Sequence, residues 1–201
     1  MAAPPAILVM ADAARPSREL AEALGAERAG QLAQLLLQRA TRWASELSPG
    51  RVRVADEAES FTNPVEVALG ARRGDEALLV IWPALPCWRP EHAEAVRDDL
   101  ASGCGASVGP VFDGGLYMLA MTQALPSLLA LPEETWGSPD AMARVLGAVN
   151  EAGVAVGLLR AERGLRRLGD VRAALADPLL DDELRALLDP LSRWLTGSAA
   201  G

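Results

Sequence analysis

The sequence predicts an α/β protein, a three-layer α/β/α sandwich built around a mostly parallel mixed sheet. Short runs that are almost wholly apolar, typical of strands buried on both faces, alternate with longer stretches in which apolar residues recur at three- and four-residue steps. Two apolar runs, 107–112 and 115–121, follow one another with no helix between them, which predicts one antiparallel strand. No internal repeat or long linker interrupts this order, so we expect the 201 residues to form a single domain with a helical tail at about 181–196.

The predicted strands are identified by their hydrophobic patterns. Residues 6–10 and 77–82 are nearly continuous apolar runs of the kind that a fully buried strand shows. Residues 51–55 alternate between polar and apolar side chains, which predicts a strand with one exposed face. The full set of predicted strands is 6–10, 51–55, 77–82, 107–112, 115–121 and 153–159.

The predicted helices are bounded by capping residues and prolines. Ser17, Ser138 and Asp170 each precede a helical pattern as candidate N-caps, and Pro90 and Pro139 suit first helical positions. The tail has an apolar face that we expect to pack on its own domain. The predicted helices span 19–24, 26–47, 65–73, 90–100, 123–131, 139–152, 171–176 and 181–195.

The composition restricts the class of protein. A net charge of −8 leaves no basic patch that could follow a phosphate backbone, so we expect no nucleic-acid partner, although backbone amides can still bind the phosphates of a nucleotide. Cys87 and Cys104 lack the spacing of a metal or redox motif, which indicates a reducing compartment. No window reaches the roughly 18 apolar residues needed to cross a bilayer. We therefore expect a cytoplasmic protein without a membrane partner.

The segment 107–120 is an apolar run interrupted at its centre by Asp113, Gly114 and Gly115. Here a carboxylate meets a backbone that is free to adopt positive φ and to approach a ligand closely. Asp113 is either a functional acid in a cleft or a turn acid that caps nearby amides. Tyr117 lies on the same face as Gly115 if the strand alternates, so it is a second candidate for the cleft lining.

The pattern GPVFDGGLYML at 109–119, followed by a helix, resembles domain-of-unknown-function family 2064, a bacterial group similar to the GT-A nucleotide-diphospho-sugar transferases and nucleotidyltransferases. The resemblance covers nearly the whole chain. It implies a GT-A fold, a nucleotide or nucleotide-sugar ligand, and an Asp-Gly-Gly turn at the active-site cleft. Asp113 would then contact a metal or an acceptor.

The chain departs from this family where the family has metal-binding acids. After the third parallel strand the family has Gly-x-Asp-x-Pro-x-Leu, and aligning Pro86 with its proline puts Ala84, which offers no oxygen ligand, in the place of the aspartate. After the last strand the family has Asp-x-Asp-Thr-x-x-Asp-Leu. This chain has Gly164 and Arg166 in the earlier places and keeps Asp170, which we interpret as a helix cap.

The loop after the first strand also departs from the family. A Lys-Thr-Arg-Leu phosphate motif is expected there, but Pro16 is retained without the lysine and threonine, and Glu19 stands before Leu20 in the place of the arginine. An anion in place of a cation should weaken a polyphosphate site. Asp12 in this loop remains a candidate for the cleft lining.

The remaining reactive or aromatic side chains have open interpretations. Trp82 and Trp88 are interpreted either as flat surfaces for a base or sugar or as packing residues at a buried strand end. His92, the only histidine, is predicted to be an exposed helical residue rather than a base or ligand. Cys104 is interpreted as a free thiol in a loop because no histidine is near it in sequence.

The expected function is that of a glycosyltransferase-like protein with altered metal and phosphate motifs and weak or absent activity. The alternatives are an active glycosyl- or nucleotidyl-transferase with an unspecified acceptor, or a non-catalytic binding protein. No cofactor is expected, and Mg²⁺ or Mn²⁺ only if the active alternative holds; a homodimer is compatible with the sequence. We expect Asp113 to open onto the largest cleft, at the carboxyl ends of the parallel strands, beside Ala84 and the 11–17 loop.

Overall fold

A computed structural model describes residues 4–55, 59, 62–72 and 74–192. The described residues contain one six-stranded sheet in the order β2-β1-β3-β5-β4-β6, in which only β5 is antiparallel to its neighbours. This confirms the predicted mixed sheet and its single antiparallel strand. The strands are Ala6–Met10 (β1), Val52–Ala55 (β2), Leu78–Ile81 (β3), Ala106–Pro110 (β4), Leu116–Met121 (β5) and Val156–Leu158 (β6).

Helices cover both faces of the sheet. Alternate side chains of β1 point to opposite sides, so that Leu8 and Met10 pack with α3, α5 and α6, while Ile7 and Val9 pack with α2 and α4. A third apolar cluster joins α1, α2, α7 and α8 beside the sheet. The helices are Arg18–Leu24 (α1), Ala26–Leu47 (α2), Pro64–Ala71 (α3), Pro90–Ala101 (α4), Pro126–Leu129 (α5), Ala141–Glu151 (α6), Leu168–Ala176 (α7) and Asp182–Leu188 (α8).

The start of α6 differs from the sequence prediction. Ser138 is not its N-cap, because the helix begins only at Ala141. The Ser138 hydroxyl instead donates to the carbonyl of Thr135 at 2.9 Å and accepts from the amide of Asp140 at 3.2 Å. These two hydrogen bonds stabilise a turn that comes before the helix and contains Pro139.

The start of α7 also differs. Asp170 is the third residue of α7 rather than its N-cap, and its Oδ2 accepts from the backbone amides of Arg166 at 3.3 Å and Arg167 at 3.0 Å. A carboxylate in the first helical turn that binds amides ahead of the helix satisfies donors that the helix itself leaves free. Asp170 therefore fixes the backbone of the segment that leads into α7.

The helix predicted over 123–131 is shorter in the structure. It covers only Pro126–Leu129, and Leu125 before it is extended. Proline disfavours helical backbone in the residue that precedes it, so the helix begins at Pro126.

The described part of the tail packs on its own domain, as predicted. Leu184, Leu188 and Leu191 are buried in the third cluster with residues of α2 and α7. Residues 193–196 of the predicted tail, and Arg73 at the end of the helix predicted over 65–73, lie outside the described residues. No described helix is long and apolar enough to cross a membrane.

Candidate functional site

The candidate site lies at the edge of the sheet where the parallel strands end. Five of the six strands run in one direction, so the segments that follow β1, β3, β4 and β6 meet at this edge. In open α/β sheets this is the edge at which ligands bind. It carries Asp12, Ala84, Asp113 and the arginine segment, as we call residues 163–167.

Residues 111–115, here the Asp113 turn, connect β4 to β5. The backbone of Gly114 has φ +89°, and a β-carbon there would clash with the carbonyl oxygen of Pro139. Asp113 Oδ1 accepts from the amide of Gly115 at 3.1 Å, which is the hydrogen bond of a turn acid. Its Oδ2 lies 3.8 Å from a guanidinium nitrogen of Arg167, and 17% of its side chain is exposed. Asp113 thus stabilises the turn and also reaches the surface.

The Asp113 pocket is a cavity of about 110 Å³ lined by Ser17, Asp113, residues 137–139, Arg166 and Arg167. The prediction that Asp113 opens onto the largest cleft is wrong, because a cavity of about 390 Å³ lies between α2 and α8. Ser17, from the predicted 11–17 loop, does line the Asp113 pocket. Asp12 is not in the lining and pairs with Arg15 at 2.9 Å.

The arginine segment supplies three cations to this edge. Arg167 lies near Asp113, and Arg163 lies 3.5 Å from a carboxylate oxygen of Asp170 and over the ring of Phe112 at 5.2 Å. Among the described residues, the ion pairs of this segment involve Arg163 and Arg167, and none within 4 Å involves Arg166. The cluster was missed in the sequence, although three arginines in five positions were its signal.

The acid positions implied by the resemblance do not supply a metal site. Ala84 is buried, with 2% exposed, and a β-carbon at Gly164 would lie only 3.4 Å from its Cβ. The fold therefore brings two of the aligned positions into contact, but neither carries an oxygen ligand. Within the described ranges no group of three His, Cys, Asp or Glu side chains is arranged to hold a metal. The residues present do not fit the divalent cation that the resemblance implies, since such cations need oxygen donors.

The predicted aromatic residues are packing groups in the structure. Trp82 is buried and stacks on Trp136 with ring centroids 6.0 Å apart. Trp88 packs against Trp43 at 5.0 Å. Phe112, which directly precedes Asp113 in the sequence and was not among the predicted site residues, is 63% exposed at this edge.

Tyr117 does not reach the Asp113 pocket. It is fully buried, its hydroxyl donates to the carbonyl of Arg160 at 3.2 Å, and burial raises the pKa of the phenol. It borders a separate cavity of about 370 Å³ together with His92 and Glu162.

His92 lies in a helix as predicted, but the prediction that it is exposed is wrong, because only 7% of it is accessible. Its Nδ1 accepts from the amide of Arg89 at 3.2 Å, and its Nε2 lies 3.3 Å from a carboxylate oxygen of Glu162. As the third residue of α4 the imidazole caps the helix start, which buries it. A ring nitrogen that accepts a backbone amide has no lone pair left for catalysis. Cys87 and Cys104 are both free thiols.

Comparison with known proteins supports the fold. No protein-family model and no curated protein matches the chain, so membership of domain-of-unknown-function family 2064 stays a prediction. Among solved structures, the chain is similar to a protein from Desulfovibrio desulfuricans G20 named "putative nucleotide-diphospho-sugar transferase". The TM-score is 0.64 and the identity 17%, over 95% of this chain and 96% of that one. At this identity the likeness shows a shared α/β fold.

Proposed function

We propose that the chain is a nucleotide-diphospho-sugar transferase-like protein of the GT-A type, related to family 2064, that has lost its divalent-metal site. It acts in the cytoplasm and has weak or no metal-dependent transferase activity. The fold of the Desulfovibrio protein and the Asp-Gly-Gly turn at the carboxyl edge support the type of protein. The lack of side-chain oxygen ligands at Ala84 and Gly164 supports the loss of the metal site.

The contact between Ala84 and Gly164 is the observation that carries this proposal. A protein-bound Mg²⁺ commonly uses one or two carboxylates together with substrate phosphates. The two positions that the resemblance assigns to such carboxylates adjoin each other, and both lack oxygen ligands. Asp170, at a third position, already accepts two backbone amides and pairs with Arg163.

The Asp113 pocket is small for a nucleotide-sugar. Its volume of about 110 Å³ is well below the range of about 300–1,000 Å³ that is usual for small-molecule sites. A whole nucleotide-sugar would need the turn or the arginine segment to move. This observation favours the second candidate function, a non-catalytic protein that binds a smaller ligand at the same edge.

Titration calorimetry with UDP-, GDP- and CMP-linked sugars tests the proposal, each titrated with and without Mn²⁺. We expect no saturable, metal-dependent binding in the micromolar range. Micromolar binding that requires Mn²⁺ and disappears in Asp113→Ala would contradict the loss of the metal site and would favour the active-transferase alternative.

Restoring a ligand gives a second test of the same position. Ala84→Asp places a carboxylate at the aligned site and is expected to raise Mn²⁺ affinity, whereas the similarly sized Ala84→Asn should not. Equal Mn²⁺ affinity of the two variants, both shown to be folded by circular dichroism, would mean that the edge no longer has the geometry of a metal site.

A further inference from the structure

We propose that the Asp113 pocket binds the phosphate group of a ligand directly, without a metal, with Arg166 as its main cation. This inference goes beyond the proposed function, because it holds whether or not the chain transfers a sugar. It also assigns a role to the Arg166 side chain, which neither the sequence nor the comparisons associate with a ligand.

The local charge supports an anionic ligand. Arg167 lies near Asp113, and Asp170 is matched by Arg163 and two backbone amides. Arg166 remains as an excess positive charge, in a chain whose net charge is −8. A guanidinium presents its N–H groups as a planar fork that matches two oxygens of a phosphate.

The pocket has the size and the donors for one phosphate group. Its volume of about 110 Å³ equals that of roughly three or four water molecules at ~30 Å³ each. Besides the two arginines it is lined by Ser17 and Ser138, and the Ser138 hydroxyl already donates to the carbonyl of Thr135. The Ser17 oxygen accepts from the amide of Leu20 at 3.3 Å, which leaves its own hydrogen available to donate to a ligand.

The backbone of Arg166 is held in place before any ligand arrives. Its amide donates to Asp170 Oδ2 at 3.3 Å, and its carbonyl accepts from the amide of Ser17 at 2.9 Å. A β-carbon at Gly115 would lie 3.8 Å from a terminal nitrogen of the Arg166 guanidinium, so this side chain extends over the Asp113 turn. With the backbone of Arg166 fixed in this way, only its side chain has to be ordered when a ligand binds.

Asp113 has an opposing effect in this arrangement. Its carboxylate repels an anion in the same pocket and competes with it for Arg167. In Asp113→Asn the side-chain oxygen can still accept from Gly115, so the turn is retained while the negative charge is lost. Phosphate binding should therefore become tighter in this variant, whereas a metal-binding role for Asp113 requires it to become weaker.

The test titrates inorganic phosphate, glucose 1-phosphate and UDP into the full chain in the presence of EDTA. We expect saturable binding of at least one probe in the millimolar range or below. Arg166→Gln should weaken it by about tenfold or more, the effect of losing charge-assisted hydrogen bonds. Arg163→Gln, on the same segment but outside the pocket lining, removes only a partner of Asp170 and should weaken binding much less than Arg166→Gln. Asp113→Asn should tighten binding by about threefold or more, since a like charge is removed at close range.

The probes distinguish the source of the phosphate group. Tighter binding of inorganic phosphate than of the two esters identifies the free ion, and tighter binding of an ester identifies a larger phosphorylated ligand. The inference is overturned if no probe saturates, if Arg166→Gln and Arg163→Gln behave alike, or if Asp113→Asn weakens binding. Arg166→Lys keeps the positive charge but not the paired N–H groups of the guanidinium, so it should retain part of the affinity. This variant tests the inference even if Arg166→Gln is unstable. Failure of the proposed function would instead appear as Mn²⁺-dependent binding of nucleotide-sugars.

Discussion

Two arginine–aspartate pairs in this molecule differ in the number and length of the contacts that the arginine makes. Arg39 donates to both oxygens of Asp181, at 2.6 and 2.7 Å, and also to Glu183 and to the carbonyl of Pro86. Arg167 and Asp113 make one contact, at 3.8 Å. The first pair fastens the start of α8 to α2. The second lies in a pocket between loops, where its charges remain available to a ligand.

The electrostatics of the first pair agree with its geometry. The hydrogen bonds from Arg39 lower the pKa of Asp181 from its ordinary value of 3.8 to about 2. A carboxylate bound so strongly in the folded state contributes to stability. The comparison suggests that the ionic contacts of α8 serve the fold, whereas the stability of the Asp113 turn depends on its glycine backbone.

The largest effect on stability is therefore expected at the turn rather than at either ion pair. Gly114→Ala should destabilise the protein by at least about 2 kcal/mol, because its backbone is left-handed and the new β-carbon would meet the carbonyl of Pro139. Gly137 lines the same pocket, but a β-carbon there would meet open space. Gly137→Ala should therefore leave the free energy of unfolding nearly unchanged. Urea denaturation measures both, and equal midpoints for the two variants would contradict the strained-turn account.

Removal of the first ion pair should have the next largest effect. Arg39→Ala should cost about 1–2 kcal/mol, since charge-assisted hydrogen bonds are lost but the partly exposed site is screened by water. The matched control is Arg18→Ala, whose pair with Glu22 is exposed and should contribute less than about 0.5 kcal/mol. If the two substitutions shift the urea midpoint equally, α8 is not fastened by Arg39.

Acid should weaken the same contact. The pKa of Asp181 is lower in the folded state than its ordinary value of 3.8. The contribution of the Asp181 carboxylate to stability is therefore fully present above pH 3.8 and is lost as the pH falls through about 2. The stability of the unmodified chain should therefore fall more steeply over this range than that of Asp181→Asn. Urea midpoints measured at a series of pH values test this, and parallel curves would rule out the contribution of Asp181.

The smallest effect is expected at the second ion pair. Asp113→Asn and Arg167→Gln should each change the free energy of unfolding by less than about 0.5 kcal/mol, because the contact is long and partly exposed. A loss as large as that of Arg39→Ala would show that this pair also serves the fold and would remove the contrast between the two regions.

The sequence predicted the sheet well because β1, β3, β4 and β5 are buried along their whole length, which leaves a clear apolar pattern in each of these strands. It did not predict the surroundings of His92, whose burial depends on a helix cap and on Glu162, 70 positions away. It identified Ala84 and Gly164 as altered positions only through the resemblance. Their contact and the excess charge of Arg166 depend on tertiary structure, so they could be recognised only once the fold was available.

Direct binding of Mn²⁺ is the measurement that tests the central claim, the loss of the metal site, most directly. The electron paramagnetic resonance signal of free Mn²⁺ falls when the ion binds to protein. We predict that micromolar Mn²⁺ keeps its free signal in the presence of the unmodified chain. Saturable loss of that signal at one site per chain, abolished by Asp113→Asn, would contradict the account.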